Sequence, residues 1–287
     1  MNHFCIIANT EKDMALEMSE EMKEYLLKHK KECLILEGRG KAGNGISFTI
    51  EDDIPDTVDC AIVLGGDGTI IQAADDLVHK DIPILAINMG TLGYLAEVDI
   101  QSYEASLDRL FQNDCYIEHR MMLHGTVQRY PSEDVFAGHA INDIVVTKRG
   151  SCRIIEIHLW VNEELIDTYV ADGLIVSTPT GSTGYNLSAG GPVMAPSLQA
   201  IVITPICPHS LNNRSLVINP ADQVELEIGK SKKTQEEEAY AIFDGEIVEK
   251  LHTGDRVRIH KALEETKFIK LNSNSFYSIM RNKLGKE

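Results

Sequence analysis

The residues best suited to chemistry lie in a five-residue run, Gly65-Gly66-Asp67-Gly68-Thr69, between the apolar stretch Cys60–Leu64 and a helical pattern from Thr69 to His79. Glycines let a main chain approach a phosphate closely and turn sharply. A helix that starts at such a turn presents unpaired N–H groups and the positive end of its dipole to an anion. Gly65, Gly66, Gly68 and Thr69 are therefore candidate phosphate-binding residues. An acid inside such a turn repels the ligand the glycines attract, which makes Asp67 a candidate general base or magnesium partner. The plainer reading is a tight strand–helix turn with Asp67 as its helix cap. A second glycine-rich run, Gly38–Gly45, has no Ser or Thr after Lys41 and does not fit the spacing of a P-loop.

Two further polar motifs lie in the second half. Asn142-Asp143 offers donors and acceptors suited to ribose hydroxyls and adenine edges, or it caps a turn before the strand Ile144–Thr147. Thr178–Tyr185 supplies hydroxyls and glycines that can surround an adenosine, with Tyr185 as a stacking face. It also fits a polar turn between a strand and a short helix. His209, alone in a proline-rich loop, reads as structural.

These motifs need elements to hold them. Phe4–Ala8, Cys33–Leu36, Cys60–Leu64 and Pro83–Ile87 read as short buried strands. The helical pattern between the first two puts Met14, Met18, Met22 and Leu26 on one face. Gln101–Asn113 carries an apolar stripe of Tyr103, Leu107, Leu110 and Phe111. Strands alternating with helices imply a doubly wound parallel sheet. Beyond residue 116 come runs rich in Val, Ile and Tyr: Ile154–Trp160, Leu165–Val170, Gly173–Ser177, Ala200–Ile203, Val224–Ile228 and Tyr240–Phe243. Turns such as Asn162-Glu163 and Asp244-Gly245 separate them, so this part reads as β-rich and sandwich-like. The expected fold class is α/β plus all-β. An α/β domain over 1–116 carries the phosphate turn, a β-rich domain over 117–266 follows, and a C-terminal segment over 267–287, helical from Ser275 to Leu284, returns to the first domain. The charged run 230–238 reads as a solvated loop.

Composition narrows the function. The chain has 287 residues, is 43% hydrophobic and carries a formal charge of −17, which argues against nucleic acid or an anionic membrane as partner. A phosphate-bearing ligand then needs local donors: main-chain N–H groups, a few basic side chains, and a cation such as magnesium that arrives with it. Six scattered cysteines, without a C-x-x-C pair, point to a reducing, cytoplasmic setting with no disulfide framework. No run reaches the roughly 18 apolar residues of a membrane span, and the apolar run at the N-terminus is too short for a signal peptide. No fixed metal site is expected from the spacing of His and Cys.

The motifs together resemble the NAD kinase family. G-G-D-G-T is shared with diacylglycerol and sphingosine kinases and, more loosely, with phosphofructokinases. Asn88-Met89-Gly90-Thr91-Leu92-Gly93-Tyr94-Leu95 is similar to the N-x-G-x-L-G-F-L stretch of NAD kinases, and Asn142-Asp143 stands where the family carries Asn-Glu. Asp172–Tyr185 matches the family's D-G-[LV]-I-[VI]-[SA]-T-P-T-G-S-T-A-Y signature. Pro205–Leu211 and Asp244-Gly245-Glu246 follow in family order. Gly184 replaces the usual Ala, Asn186 the usual Ser and Asp143 the usual Glu, and none of these removes a chemical role.

The resemblance implies transfer of the ATP γ-phosphoryl group to the 2′-hydroxyl of the adenosine ribose of NAD, with a divalent cation such as Mg²⁺. It implies that Asp67 accepts the hydroxyl proton. Its NAD-binding set maps onto Asp67, Gly68, Asn142, Asp143, Arg153, Asp172, Thr183, Gly184, Tyr185, Asn186, Leu187, Ser188 and Glu246. Asp172 corresponds to the residue at the nicotinamide end, whereas Arg153 and Glu246 also suit surface or strand-pair charges. The resemblance further implies a homo-oligomer, dimer or tetramer, with the NAD site near a subunit contact. Two alternatives share parts of the pattern. A lipid kinase of the diacylglycerol type has the 65–69 motif but leaves Thr178–Tyr185 unexplained. A non-catalytic dinucleotide sensor needs the glycines but not Asp67. Inorganic polyphosphate in place of ATP, and NADH in place of NAD, stay open.

Overall fold

A computed structural model describes residues 1–8, 13–37, 39–40, 46–47, 53–90, 93–132, 134–150, 154–210, 214–230, 238–271 and 275–285. The first elements are β1 (His3–Ala8), α1 (Asp13–Lys28), β2 (Glu32–Glu37) and the short pair β3 (Arg39–Gly40) and β4 (Ile46–Ser47). They are followed by β5 (Cys60–Gly65), α2 (Asp67–Asp76), β6 (Ile84–Asn88), β7 (Val98–Asp99) and α3 (Tyr103–Phe111). A strand-rich stretch opens with β8 (Tyr116–Gln128), β9 (Val135–Ala140), β10 (Asp143–Lys148), β11 (Ile155–Val161), β12 (Glu164–Ala171) and β13 (Gly173–Ser177). The one-turn helix α4 (Tyr185–Ser188) precedes β14 (Ile201–Ile206), β15 (Leu216–Ile218), β16 (Val224–Ile228) and β17 (Glu238–Phe243). The chain ends with β18 (Ile247–His252), β19 (Arg256–Lys270) and α5 (Phe276–Leu284). It divides into two compact units, Met1–Arg120 with Glu264–Glu287, and Met121–Leu263.

In the first unit β2, β1, β5 and β6 lie side by side, all parallel, and the carboxyl end of β19 joins β6 at Phe268. Strands buried on both faces must be apolar throughout, as Cys-Ala-Ile-Val-Leu of β5 is. Helices cover the core of Phe4, Ile6, Ile62, Leu64, Leu85 and Ile87. From α1 they contribute Ala15, Met22 and Leu26, and from α3 Leu107 and Leu110. Met14 does not share that face: it is 63% exposed. The buried stripe runs through Ala15, Ser19, Met22 and Leu26, one residue on from the expected start. Chain order also places the site. The chain passes from β1 outward to β2, then returns to β5 on the other side of β1. Such a reversal opens a crevice at the carboxyl ends of the strands beside it, and β5 ends at Gly65.

The second unit is a sandwich. One sheet runs β15-β14-β13-β10-β17-β18, antiparallel throughout. The facing layer contains β12-β11-β16 and the amino half of β19, with the β8–β9 hairpin. Alternate residues point inward: Ile155, Ile157 and Leu159 on β11, Val224, Leu226 and Ile228 on β16, Ala239, Ala241 and Phe243 on β17. This is the period of two that one buried sheet face demands.

Candidate functional site

In the first unit, Gly66 is the cap residue of α2 and makes no side-chain cap, while Asp67, Gly68 and Thr69 form the first helical turn. Gly66 and Gly68 are exposed, with open space where a side chain would stand. Gly65 packs directly on the Thr69 side chain. The free N–H groups of a helix start are thus uncovered, as an incoming phosphate requires.

Asp67 is not the cap of its own helix. Its carboxylate crosses to the next motif, where it accepts from the Tyr94 N–H at 2.9 Å and the Leu95 N–H at 3.2 Å. Gly93 is forced by this contact, because a Cβ there would fall 1.8 Å from Asp67 Oδ1. The receiving loop is fixed from its other side by α5. The Tyr94 ring lies 6.4 Å from that of Phe276, with Lys283 Nζ 4.4 Å from the Tyr94 ring centre. Asn88, at the end of β6 and beside Gly65 in the sheet, closes the turn by bonding both the N–H and the carbonyl of Gly90. Two runs that sequence reading treats separately, 65–69 and 88–95, are one structure. Thr91 and Leu92 lie outside the described residues.

In the second unit, Asn142 and Asp143 open β10. The Asn142 carbonyl accepts from the Thr178 N–H at 2.9 Å and the Ser177 hydroxyl at 3.2 Å, and the Thr178 hydroxyl donates to the Ile141 carbonyl at 2.6 Å. Gly181 presses on the same segment, with space for no Cβ: one would lie 2.2 Å from the Asn142 carbonyl oxygen. The Thr178–Tyr185 turn is therefore built onto Asn142. Ser182 ties the turn to Met194, and Asn186, wholly buried, bonds the carbonyls of Ser182 and Pro192 and accepts from Thr204. The amide of Asn186 is spent on holding the turn. Thr183 bonds back to the Thr180 carbonyl, Gly184, Tyr185 and Ser188 are exposed, and Leu187 is half-buried.

Asp172 joins β12 to β13 and pairs with Lys148 at 2.6 Å. Burial raises the Tyr185 hydroxyl, and the charges of Cys207, Asp172 and Asp143 raise it further. Asp143 is 6% exposed, and among the described residues its carboxylate has no hydrogen-bond partner. Burial pushes it up to about 7. Glu246 stands exposed in the β17–β18 turn, and Arg153 lies outside the described residues. His209, expected to be structural, is exposed and lines a recess of about 460 Å³ with Cys207, Pro208 and Ser210. Among the described residues no group of three or more His, Cys, Asp and Glu side chains is disposed to hold a metal ion.

One residue of this site is missed by the sequence reading. The Asp244 carboxylate accepts from three consecutive N–H groups, those of Ile141 (2.7 Å), Asn142 (2.8 Å) and Asp143 (3.0 Å). Its only trace in the sequence is Asp-Gly, which reads as an ordinary hairpin turn. That turn is present too, with Asp244 and Gly245 both at positive φ.

Comparison with known proteins agrees with this geometry. The model of the ATP-NAD kinase N-terminal domain matches residues 4–115, and that of the ATP-NAD kinase C-terminal domain matches residues 141–271. The chain belongs to the NAD kinase family. The NAD kinase of Lachnoclostridium phytofermentans is 47% identical over 99% of both chains. That of Lachnospira eligens is 40% identical, covering 99% of this chain and 100% of its own. Solved NAD kinase structures share the fold. Yeast NADH kinase complexed with NADH gives a TM-score of 0.80 at 24% identity, over 98% of this chain and 86% of that one. An NAD kinase from Archaeoglobus fulgidus in complex with ATP gives 0.75 at 24% identity, over 99% and 97%. No described helix is long and apolar enough to cross a membrane.

Proposed function

We propose that this NAD kinase takes ATP, with a divalent cation, as its donor and transfers the γ-phosphoryl group to the 2′-hydroxyl of the adenosine ribose of NAD. The observation that carries the mechanism is Asp67: an acid in a phosphate turn that caps nothing and is held by two N–H groups of a neighbouring loop. Those donors aim the carboxylate that would accept the hydroxyl proton. The uncovered N–H groups at the start of α2, with Gly66 and Gly68 leaving the approach open, suit the donor phosphates. Asn142 and Asp143 hold the ribose hydroxyls, Tyr185 offers its exposed ring to the adenine, and Asp172 faces the nicotinamide end. In this reading Asn186 acts by fixing the 182–192 turn.

The chain's own contribution is positioning and electrostatics, as expected for phosphoryl transfer. Magnesium enters with ATP and offsets phosphate charge, which matters in a protein of net charge −17. Assembly as a dimer or tetramer is part of the same proposal. The relatives and structural neighbours named above are NAD or NADH kinases and give no support to a lipid kinase or a silent sensor. A coupled assay of NADP formation tests the reading, run with NAD or NADH and with ATP or polyphosphate, before and after EDTA. Product from NAD and ATP that disappears with EDTA is the expected result. No product under any pairing, from folded protein, refutes it.

A further inference from the structure

Asp244 has no part in the proposed chemistry, yet among the described residues of the second unit it is the acid that accepts from the most main-chain N–H groups. Its three N–H bonds run to residues about a hundred positions earlier. The turn returns the contact, since the Asp244 N–H donates to the Asp143 carbonyl at 3.0 Å. Main chain at 141–143 is therefore clamped on one side by Asp244 and on the other by Thr178 and Gly181.

A clamp alone does not need a charge, since an asparagine or serine could serve. The charge has a neighbour, however. Asp143 lies buried beside it with no partner for its own carboxylate among the described residues. Two like charges in one buried place raise whichever ionises second. Asp244 carries the three N–H donors and Asp143 carries none, so the two carboxylates titrate as an unequal pair. Burial and the Asp143 charge push Asp244 up to about 7 against the lowering by those donors, and burial pushes Asp143 to about 7 as well. Tyr185 feels the Asp143 charge together with those of Cys207 and Asp172, the last paired with Lys148. None of them donates a bond to Asp143 in the structure.

We propose that Asp244 is a positioning residue for NAD, which fixes the direction of Asn142 and Asp143 through their N–H groups and keeps the Asp143 carboxylate short of partners until ribose hydroxyls supply them. The inference rests on the assignment of Asn142 and Asp143 to the ribose. It makes the pair a preorganised acceptor: unpaired and poorly stabilised when empty, bonded when NAD is bound.

The test uses Asp244→Asn in the full chain. Asparagine tolerates positive φ and keeps one oxygen for the Asn142 and Asp143 donors, so the turn is retained. It loses the charge and sets an NH₂ against the Ile141 N–H. A hydrogen bond to a charged group contributes about 1.5–3 kcal/mol, or roughly 10- to 150-fold. The expected result is a rise of at least about tenfold in the KM for NAD, with the KM for ATP and kcat within about threefold. The acid limb of the KM for NAD against pH should also move to lower pH, because Asp143 then ionises without an opposing charge. A purely structural brace would not move that limb. Asp143→Asn is the second variant, with the Asp244 bonds intact. It should raise the melting temperature at pH 8 and abolish the thermal shift given by NAD.

If wild-type protein forms no NADP, the functional reading falls and this inference with it. If wild type is active and Asp244→Asn raises both KM values equally, or leaves the pH limb in place, the inference alone is overturned. A lowered melting temperature in Asp143→Asn with NAD binding unchanged overturns it as well.

Discussion

Replacing Gly93 by alanine should disable the enzyme without touching any group that takes part in the reaction. The added Cβ would lie 1.8 Å from Asp67 Oδ1, 2.3 Å from its Cγ and 2.5 Å from Oδ2. Ordinary contact begins near 3.4 Å, so the carboxylate and the loop must part by about 1.6 Å. Both N–H bonds, from Tyr94 and Leu95, stretch beyond hydrogen-bond range in the process. A misplacement of about 1 Å in a reacting group costs on the order of 10²-fold in rate, and kcat should fall by about that factor. NAD affinity, which the proposal assigns to the second unit, should change less than about fivefold, the equivalent of one neutral hydrogen bond of about 1 kcal/mol. The melting temperature should drop by several degrees, since charge-assisted bonds of about 1.5–3 kcal/mol each are lost. The assay couples NADP formation to an NADP-specific dehydrogenase and yields kcat and both KM values. The double variant with Asp67→Asn decides the cause. If Gly93 acts through Asp67, the second substitution adds little to the first, a coupling that independent sites would not show. A Gly93→Ala protein with kcat within threefold of wild type, or rate losses that simply multiply in the double variant, would refute the argument.

Three other outcomes follow from the same geometry. Asp67→Asn should lower turnover by roughly 10²- to 10⁴-fold, the usual contribution of a general base, while NAD still shifts the melting temperature; near-normal turnover would leave Asp67 only its grip on the 94–95 loop. Asn142→Ala should raise the KM for NAD about fivefold and that for ATP hardly at all, as the loss of one bond worth about 1 kcal/mol implies, and equal changes in both would return the pair to a turn. NAD alone should stabilise the protein by about 2.7 kcal/mol at a concentration near 100 times its dissociation constant; a scan in millimolar NAD that shows no shift would count against a preformed acceptor site.

The fold class was legible because each unit repeats one local pattern. Apolar strands of β1, β5 and β6 with helices between them can only be buried on both faces, and alternation in β11, β16 and β17 can only be a half-buried sheet. Where the pattern breaks, the sequence misleads. β19 places Val257, Ile259 and Ala262 inward, so its alternation slips by one residue after Ile259 and the strand goes unseen among its charges. β8 buries Met121, Met122 and Leu123 in succession and alternates only from Leu123 to Gln128. The α1 face was placed one residue early, because methionine looked apolar enough to be core at position 14, where the chain exposes it.

The site was legible in its residue types and opaque in its connections. Glycine, aspartate and hydroxyl runs announce phosphate and ribose chemistry through their side chains. What holds them is main chain bonded across distance: Asp67 to a loop 27 positions on, Asp244 to a segment about a hundred positions back. No local pattern carries such a pairing.

Those two contacts also bear on how so acidic a chain could handle polyanions. With 44 acids against 27 Lys and Arg, a field of one sign would repel NAD and ATP if all the acids faced the substrate unpaired. In each unit one acid is met by consecutive N–H groups of its own chain: Tyr94 and Leu95 for Asp67, Ile141 to Asp143 for Asp244. Asp255 repeats the device away from the site, accepting from Tyr130 and His252. Such carboxylates spend their charge on ordering loops, and their field is partly cancelled by the dipoles they gather. Asp143 is the departure from that rule, since its own carboxylate gathers no N–H group among the described residues. A carboxylate without such donors is open to hydroxyl donors from a ligand, and a ribose, the partner proposed for it, supplies them.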